Sequence, residues 1–210
     1  MKNFFAKFSK SIKILVKAKY NFRLPIKKNT IVLDSAHSYY FIRLFRKNKT
    51  FFLDTRYNEL YFFILAYSLF KYCVNTKITL LQHYIINCIK FINPKNIVTF
   101  TDNNFFFLSL KNVFKKKKLI LLQYAWLTRD TFEDIYLKTK NQKFFKKFKI
   151  DYTCIWGKNS KNFYSHFIDT KYLTTGSIKN NFYKYKKKVR KDSIIFISQF
   201  RMHLDYDTEK

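Results

Sequence analysis

Residues 94–104 read PKNIVTFTDNN. Pro94 stops any preceding helix. Asn96–Asp102 is then a short apolar run with β-branched residues, closing on a carboxylate and two amides. Such a run, apolar on consecutive positions, is the signature of a strand buried on both faces. Working outward, the same form recurs. Thr30–Ser35 (TIVLDS) and Thr50–Arg56 (TFFLDTR) precede it. Leu119–Ala125 (LILLQYA), Tyr152–Gly157 (YTCIWG) and Tyr172–Gly176 (YLTTG) follow. A last run, Ser193–Phe200 (SIIFISQF), comes after a charged linker at Lys184–Lys191.

Helix-like segments separate these runs. Ala36–Lys47, a segment from Asn58 to about Tyr72, Lys77–Ile92, Asn103–Phe114 and Lys158–Phe167 read as helices, with Asn58 as a cap. Thr128–Lys149 is polar and partly helical, and Lys115–Lys118 reads as a solvated connector. Repeated β–α units with continuous apolar strands predict an α/β fold. The expected form is a Rossmann-like open, mostly parallel sheet with helices on both faces. The expected domains are a basic amphipathic segment at 1–29, the Rossmann-like domain at 30–183, and a linker with one strand of a further domain at 184–210.

In open parallel sheets, ligands bind where strands end and loops begin. The polar strand ends here carry Asp34 and His37, Arg56, Asp102 with Asn103 and Asn104, Gly157 with Lys158, and Gly176 with Ser177 and Lys179. A carboxylate at Asp102 or an imidazole at His37 can take a proton from a hydroxyl. The amides and cations can orient sugar or phosphate oxygens. The bland reading of each position is a helix cap, because Asp, Asn and Ser favour caps. The chain has only two glycines, Gly157 and Gly176, and both fall at strand ends, so both backbones are expected to need glycine.

Composition restricts function less than it first suggests. Lys and Arg number 42 against 13 Asp and Glu, a net charge of +29, and aromatics make up 21%. Those numbers suggest nucleic acid. Yet Arg supplies only 7 of the 42 cations, although its planar fork suits phosphate better. Abundant Lys, Ile, Phe, Tyr and Asn beside scarce Gly, Ala, Arg and Pro is the mark of an A/T-rich gene. A basic RNA-binding protein of ribosomal type is therefore the alternative reading, not the leading one. Two Gly and two Pro exclude collagen-like and linker classes, and 48% apolar residues can build a core.

Cys73, Cys88 and Cys154 have no metal-site or redox spacing, and the four His are scattered, so no metal is expected. Free thiols suit a reducing cytosol. No G-x-G-x-x-G, phosphate-binding loop or G-x-S-x-G elbow occurs, and no cofactor is expected. No apolar run approaches the ~20 residues of a membrane span. In the first 33 residues, nine cations and no acid accompany Phe4, Phe5, Phe8, Ile12, Leu15 and Val16 on one helical face. Three readings stay open for it: a helix packed on the domain, contact with an anionic membrane surface, or a targeting segment.

In order, FLDTRYNEL, INPKNIVTFTDNN, ILLQYAW, WGKNSKNFYSHF, TTGSIKNNF and SIIFISQF resemble segments of bacterial surface-carbohydrate (O-antigen) biosynthesis proteins, which look like relatives of two-domain GT-B glycosyltransferases. The resemblance spans roughly residues 30 to 200. It implies an acceptor-side N-terminal domain in the cytoplasm, with Asp102, Asn103 and Asn104 lining the cleft and Gly176, Ser177 and Lys179 near the crossover. The implied partners are a sugar or lipid-linked glycan acceptor, and a nucleotide-sugar donor only together with a C-terminal domain. Peripheral contact with the inner face of the cytoplasmic membrane fits such an acceptor. One departure is Gln123-Tyr124-Ala125, where the family commonly shows Gln-Asn-Gly. The other is the lack of a donor domain after SIIFISQF, so an incomplete enzyme, inactive alone, is expected.

Overall fold

A computed structural model describes residues 15–33, 44–53, 55, 58–101, 104–123 and 147–177. The elements are β1 (Lys19–Asn21), β2 (Thr30–Leu33), β3 (Thr50–Leu53), β4 (Glu59–Tyr61), α1 (Phe62–Val74), α2 (Leu80–Ile92), β5 (Asn96–Thr99), α3 (Phe105–Val113), β6 (Lys118–Leu122), β7 (Phe148–Ile155), α4 (Lys158–Tyr164) and β8 (Ile168–Thr174). Six strands form one sheet in the order β3-β2-β5-β6-β7-β8, and every pairing is parallel. This is the expected α/β architecture, an open parallel sheet flanked by helices.

Strand register explains why the apolar runs are continuous. Ile31, Ile97 and Leu119 stand side by side, as do Val32, Val98 and Ile120 in the next row. The first row feeds the larger core, with Ile64, Ile89 and Phe107 from the helices. The second row feeds a smaller cluster with Phe100 and Leu122 on the opposite face. Val32 and Val98 are as buried as Ile31 and Ile97, so both faces of the central strands are shielded. Each fully buried side chain of this kind contributes roughly 1.5–3 kcal/mol.

The helices owe their limits to identifiable residues. Thr79 and Gln82 form a reciprocal capping box, and α2 ends at Asn93 in the left-handed conformation, directly before Pro94. The helix therefore starts at Leu80, not at Lys77. The helix expected from Asn58 is also corrected. Residues 59–61 form β4, which pairs in parallel with β1, and α1 begins only at Phe62 without a side-chain cap. Two features fix α1 in place of a cap. The Tyr84 hydroxyl accepts the Tyr61 N–H at 2.9 Å. At the helix crossing, Asn87 Nδ2 donates to Ser68 Oγ, which donates to the Ile64 carbonyl.

β7 is longer than expected, because Phe148–Asp151 alternates inward and outward around its charges. Asp151 accepts from the Leu119 N–H and from Lys111 Nζ at 2.7–2.8 Å, joining α3, β6 and β7. Lys117 is more than a solvated connector residue. Its Nζ reaches Asn93 Oδ1 and the Pro94 carbonyl, and burial lowers its pKa. The helix expected at 36–47 lies mostly outside the described residues, as do the segment at 128–149, the linker, the last strand, and residues 1–14.

Candidate functional site

Because all six strands run the same way, their carboxyl ends form one edge. Leu33, Leu53 and Thr99 are in register there. Leu122, Ile155 and Thr174 continue it. The strand order reverses between β2 and β5, where one connection turns toward β3 and the other toward β6. In doubly wound sheets this switch point opens the crevice that takes ligands. Asp34 follows directly on the end of β2, and Asp102-Asn103 follow soon after the end of β5. Those three residues, with His37, Arg56 and Lys179, lie outside the described residues.

The described candidates have clear local roles. Asn104 caps α3: its Oδ1 accepts the Phe107 N–H at 3.1 Å, and its own N–H donates to the Thr101 carbonyl. Thr101 N–H in turn reaches Thr99 Oγ1, so a buried hydroxyl shapes the turn leaving β5. Lys158 is exposed at the start of α4. Gly176 has φ +71°, a conformation that costs other residues roughly 1–2 kcal/mol. The expectation for Gly157 is corrected. Its φ of −161° is ordinary extended backbone, and a Cβ there meets nothing within 4 Å.

Gly157 and Gly176 each stand two residues beyond the Ile155–Thr174 pair, on neighbouring strand ends. Ser177 is half-buried beside Gly176. With strands ~4.8 Å apart, β7 and β8 lie about 10 and 14 Å from β5. By the strands they follow in sequence, the candidates divide into two groups, one after β3, β2 and β5 and one after β7 and β8.

Between them stands a residue the sequence does not flag as important. Gln123 is buried at the end of β6. Its Oε1 accepts the Trp156 N–H at 2.9 Å, and its carbonyl accepts the Trp156 indole N–H at 3.0 Å. Its position in the altered Gln-Tyr-Ala stretch is the only signal that could have drawn attention to it. Beyond β3, a depression of about 480 Å³ is lined by Lys17, Lys19, Phe52, Leu53, Asn58, Glu59 and Tyr61. A wider one, about 940 Å³, lies at the opposite edge of the sheet among Asn93–Asn96 and Lys115–Lys118.

Among the described residues, no group of three or more His, Cys, Asp or Glu is placed to hold a metal ion. Burial raises the pKa of the Cys154 thiol, and burial pushes that of Cys88 up to about 12. No described helix is long and apolar enough to cross a membrane.

Fold and edge together define an open, parallel α/β domain with a switch point between β2 and β5. Comparison with protein families adds that residues 120–210 match a family described as "putative O-antigen biosynthesis protein". That stretch is thus similar to proteins of O-antigen biosynthesis, and it contains GKNSKNFYSHF and TTGSIKNNF but not IVTFTDNN. No curated protein and no solved structure matches the chain.

Proposed function

We propose that this chain is the acceptor-side domain of a GT-B-like glycosyltransferase acting in O-antigen assembly. The observation that carries the reading is the β2/β5 switch point, with Asp34 and Asp102-Asn103 following its two strand ends. The family likeness of residues 120–210 supports the O-antigen part of this reading.

In this reading Asp102 takes the proton from the acceptor hydroxyl, with His37 as the other candidate base. Asp34, Asn103 and Asn104 hold sugar hydroxyls. Arg56, Lys158 and Lys179 face anionic groups of a lipid-linked acceptor, and the backbones at Gly157, Gly176 and Ser177 shape the far end of the cleft. The nucleotide-sugar donor binds a second domain, so transfer needs that domain as well. Nothing among the described residues favours the RNA-binding alternative.

Ligand-observed NMR with a panel of short O-antigen oligosaccharides tests the reading. Binding is expected at millimolar level, and Asp102→Ala with Asn103→Ala should abolish it while the thermal midpoint stays unchanged. Absence of binding across the panel, or binding that survives in the double variant, would overturn it.

A further inference from the structure

Helix α1 has an inner side and an outer side of similar hydrophobicity. Ile64, Leu65 and Ser68 are buried. Outward, Phe62, Phe63, Tyr67, Leu69, Phe70 and Val74 are exposed, with Phe63 at 54%, Phe70 at 63% and Val74 at 74%. Residues 63, 67, 70 and 74 recur at helical spacing, so they form one stripe. Water-exposed helices normally turn polar residues outward. Here the outer half is apolar and aromatic over 13 residues, about 20 Å of helix.

The stripe continues beyond the helix. The Phe22 ring packs on Phe62 with centroids 5.2 Å apart, and Leu24 and Ile26 are exposed further along the same segment. The charges among these residues are all positive: Arg23, Lys27 and Lys28 in that segment, Lys71 on the helix and Lys77 just after it. Lys71 Nζ stands 5.5 Å from the centre of the Tyr67 ring, its stem lying along the apolar surface. α1 contains no acid. Glu59 precedes it and accepts from Asn21 Nδ2.

We propose that the outer face of α1, extended by Phe22, seats the protein on an anionic lipid bilayer. An aromatic-rich face whose own charges are cations matches the boundary between headgroups and acyl chains. Anionic headgroups complement Arg23, Lys71 and Lys77, while the rings enter the apolar layer. A protein partner would more commonly be met by a face carrying both signs of charge. This inference rests on the surface of α1 alone and stands whether or not the chain binds a glycan.

Two readouts test it on the full chain. The first is flotation with phosphatidylcholine vesicles, with and without phosphatidylglycerol, at 0.15 M salt. The protein should float with the anionic vesicles, and Phe63→Ser with Phe70→Ser should cut the floated fraction at least fivefold without changing net charge. That variant leaves residues 1–14 unchanged, which separates this face from the basic residues ahead of β1. The second is an environment-sensitive dye on Cys73, exposed on α1 itself. Its emission should shift to the blue with anionic vesicles, a readout that does not depend on the variant folding. Undiminished flotation of a folded variant, or no dye shift, would overturn the proposal. So would a dimer that the double variant converts to monomer while the parent chain leaves vesicles unbound, because a second copy would then cover the face.

Discussion

Gln123 and Trp156 are joined twice, side chain to backbone and backbone to side chain, across the ends of β6 and β7. The backbone N–H of Gln123 adds a third link, to the Cys154 carbonyl. Replacing Gln123 by Ala leaves the Trp156 N–H without its acceptor in a partly buried setting. A loss of about 1–3 kcal/mol is expected. Urea unfolding followed by tryptophan fluorescence measures it, and an unchanged midpoint would show the link to be dispensable.

Asp151 is the second junction, holding Lys111 and the Leu119 N–H together. Asp151→Ala removes both acceptors, whereas Asp151→Asn keeps a carbonyl for Leu119. The alanine variant should lose roughly 1–3 kcal/mol and the asparagine variant clearly less. Equal losses would mean that the charge, and not the backbone contact, carries the effect. Because the pair is partly solvated, added salt should shrink both losses.

The two glycines should respond differently to the same change. Gly176→Ala meets a left-handed backbone and should cost about 1–2 kcal/mol. Gly157→Ala meets extended backbone and open space, so it should be neutral, or stabilising by about 0.4–1 kcal/mol through the unfolded chain. Thermal melts of the two variants make the comparison directly.

Alkaline pH should weaken the fold from inside the α1–α2 contact. Burial, reinforced by Cys88, holds the Tyr84 hydroxyl far above its ordinary range, and the Cys88 thiol is pushed up to about 12. Both groups keep their protons in the folded state longer than in the unfolded one. Above about pH 9 the unfolded thiol gives up a proton that the folded one retains, so stability falls as pH rises. The contribution is complete below that pH and declines through the window up to about 12. Urea midpoints at pH 7, 9 and 10.5 should fall in that order. Thiol labelling at pH 8 should modify Cys73 quickly and Cys88 only on unfolding.

The sheet was legible because its strands are buried on both faces and so read as unbroken apolar runs. Ile31-Val32-Leu33 and Ile97-Val98 announce themselves without any alternation. β1 and β4 were not legible, since three residues carry no period and their pairing is set by the chain folding back over 40 positions. The start of α2 was written in Thr79 and Gln82, a spacing that outweighs the helix-friendly Lys77. At the edge, sequence located the strand ends but could not distinguish Gly176 from Gly157, because φ is fixed by the turn and not by the residue. Gln123 was hidden for a related reason: its partner Trp156 is 33 residues away.

The β1–β4 pairing has a practical consequence for shortening this protein. A cut at residue 29, the boundary suggested by composition, would remove a strand hydrogen-bonded to Glu59–Tyr61 and the Lys19 N–H bond to the Asn58 carbonyl. Leu15 and Ala18, which pack on the main core, would go with it. The bared edge of β4 would then invite association with other chains. A trimmed version that is to keep this edge paired should begin at or before Leu15, however dispensable the lysine-rich residues ahead of it prove to be.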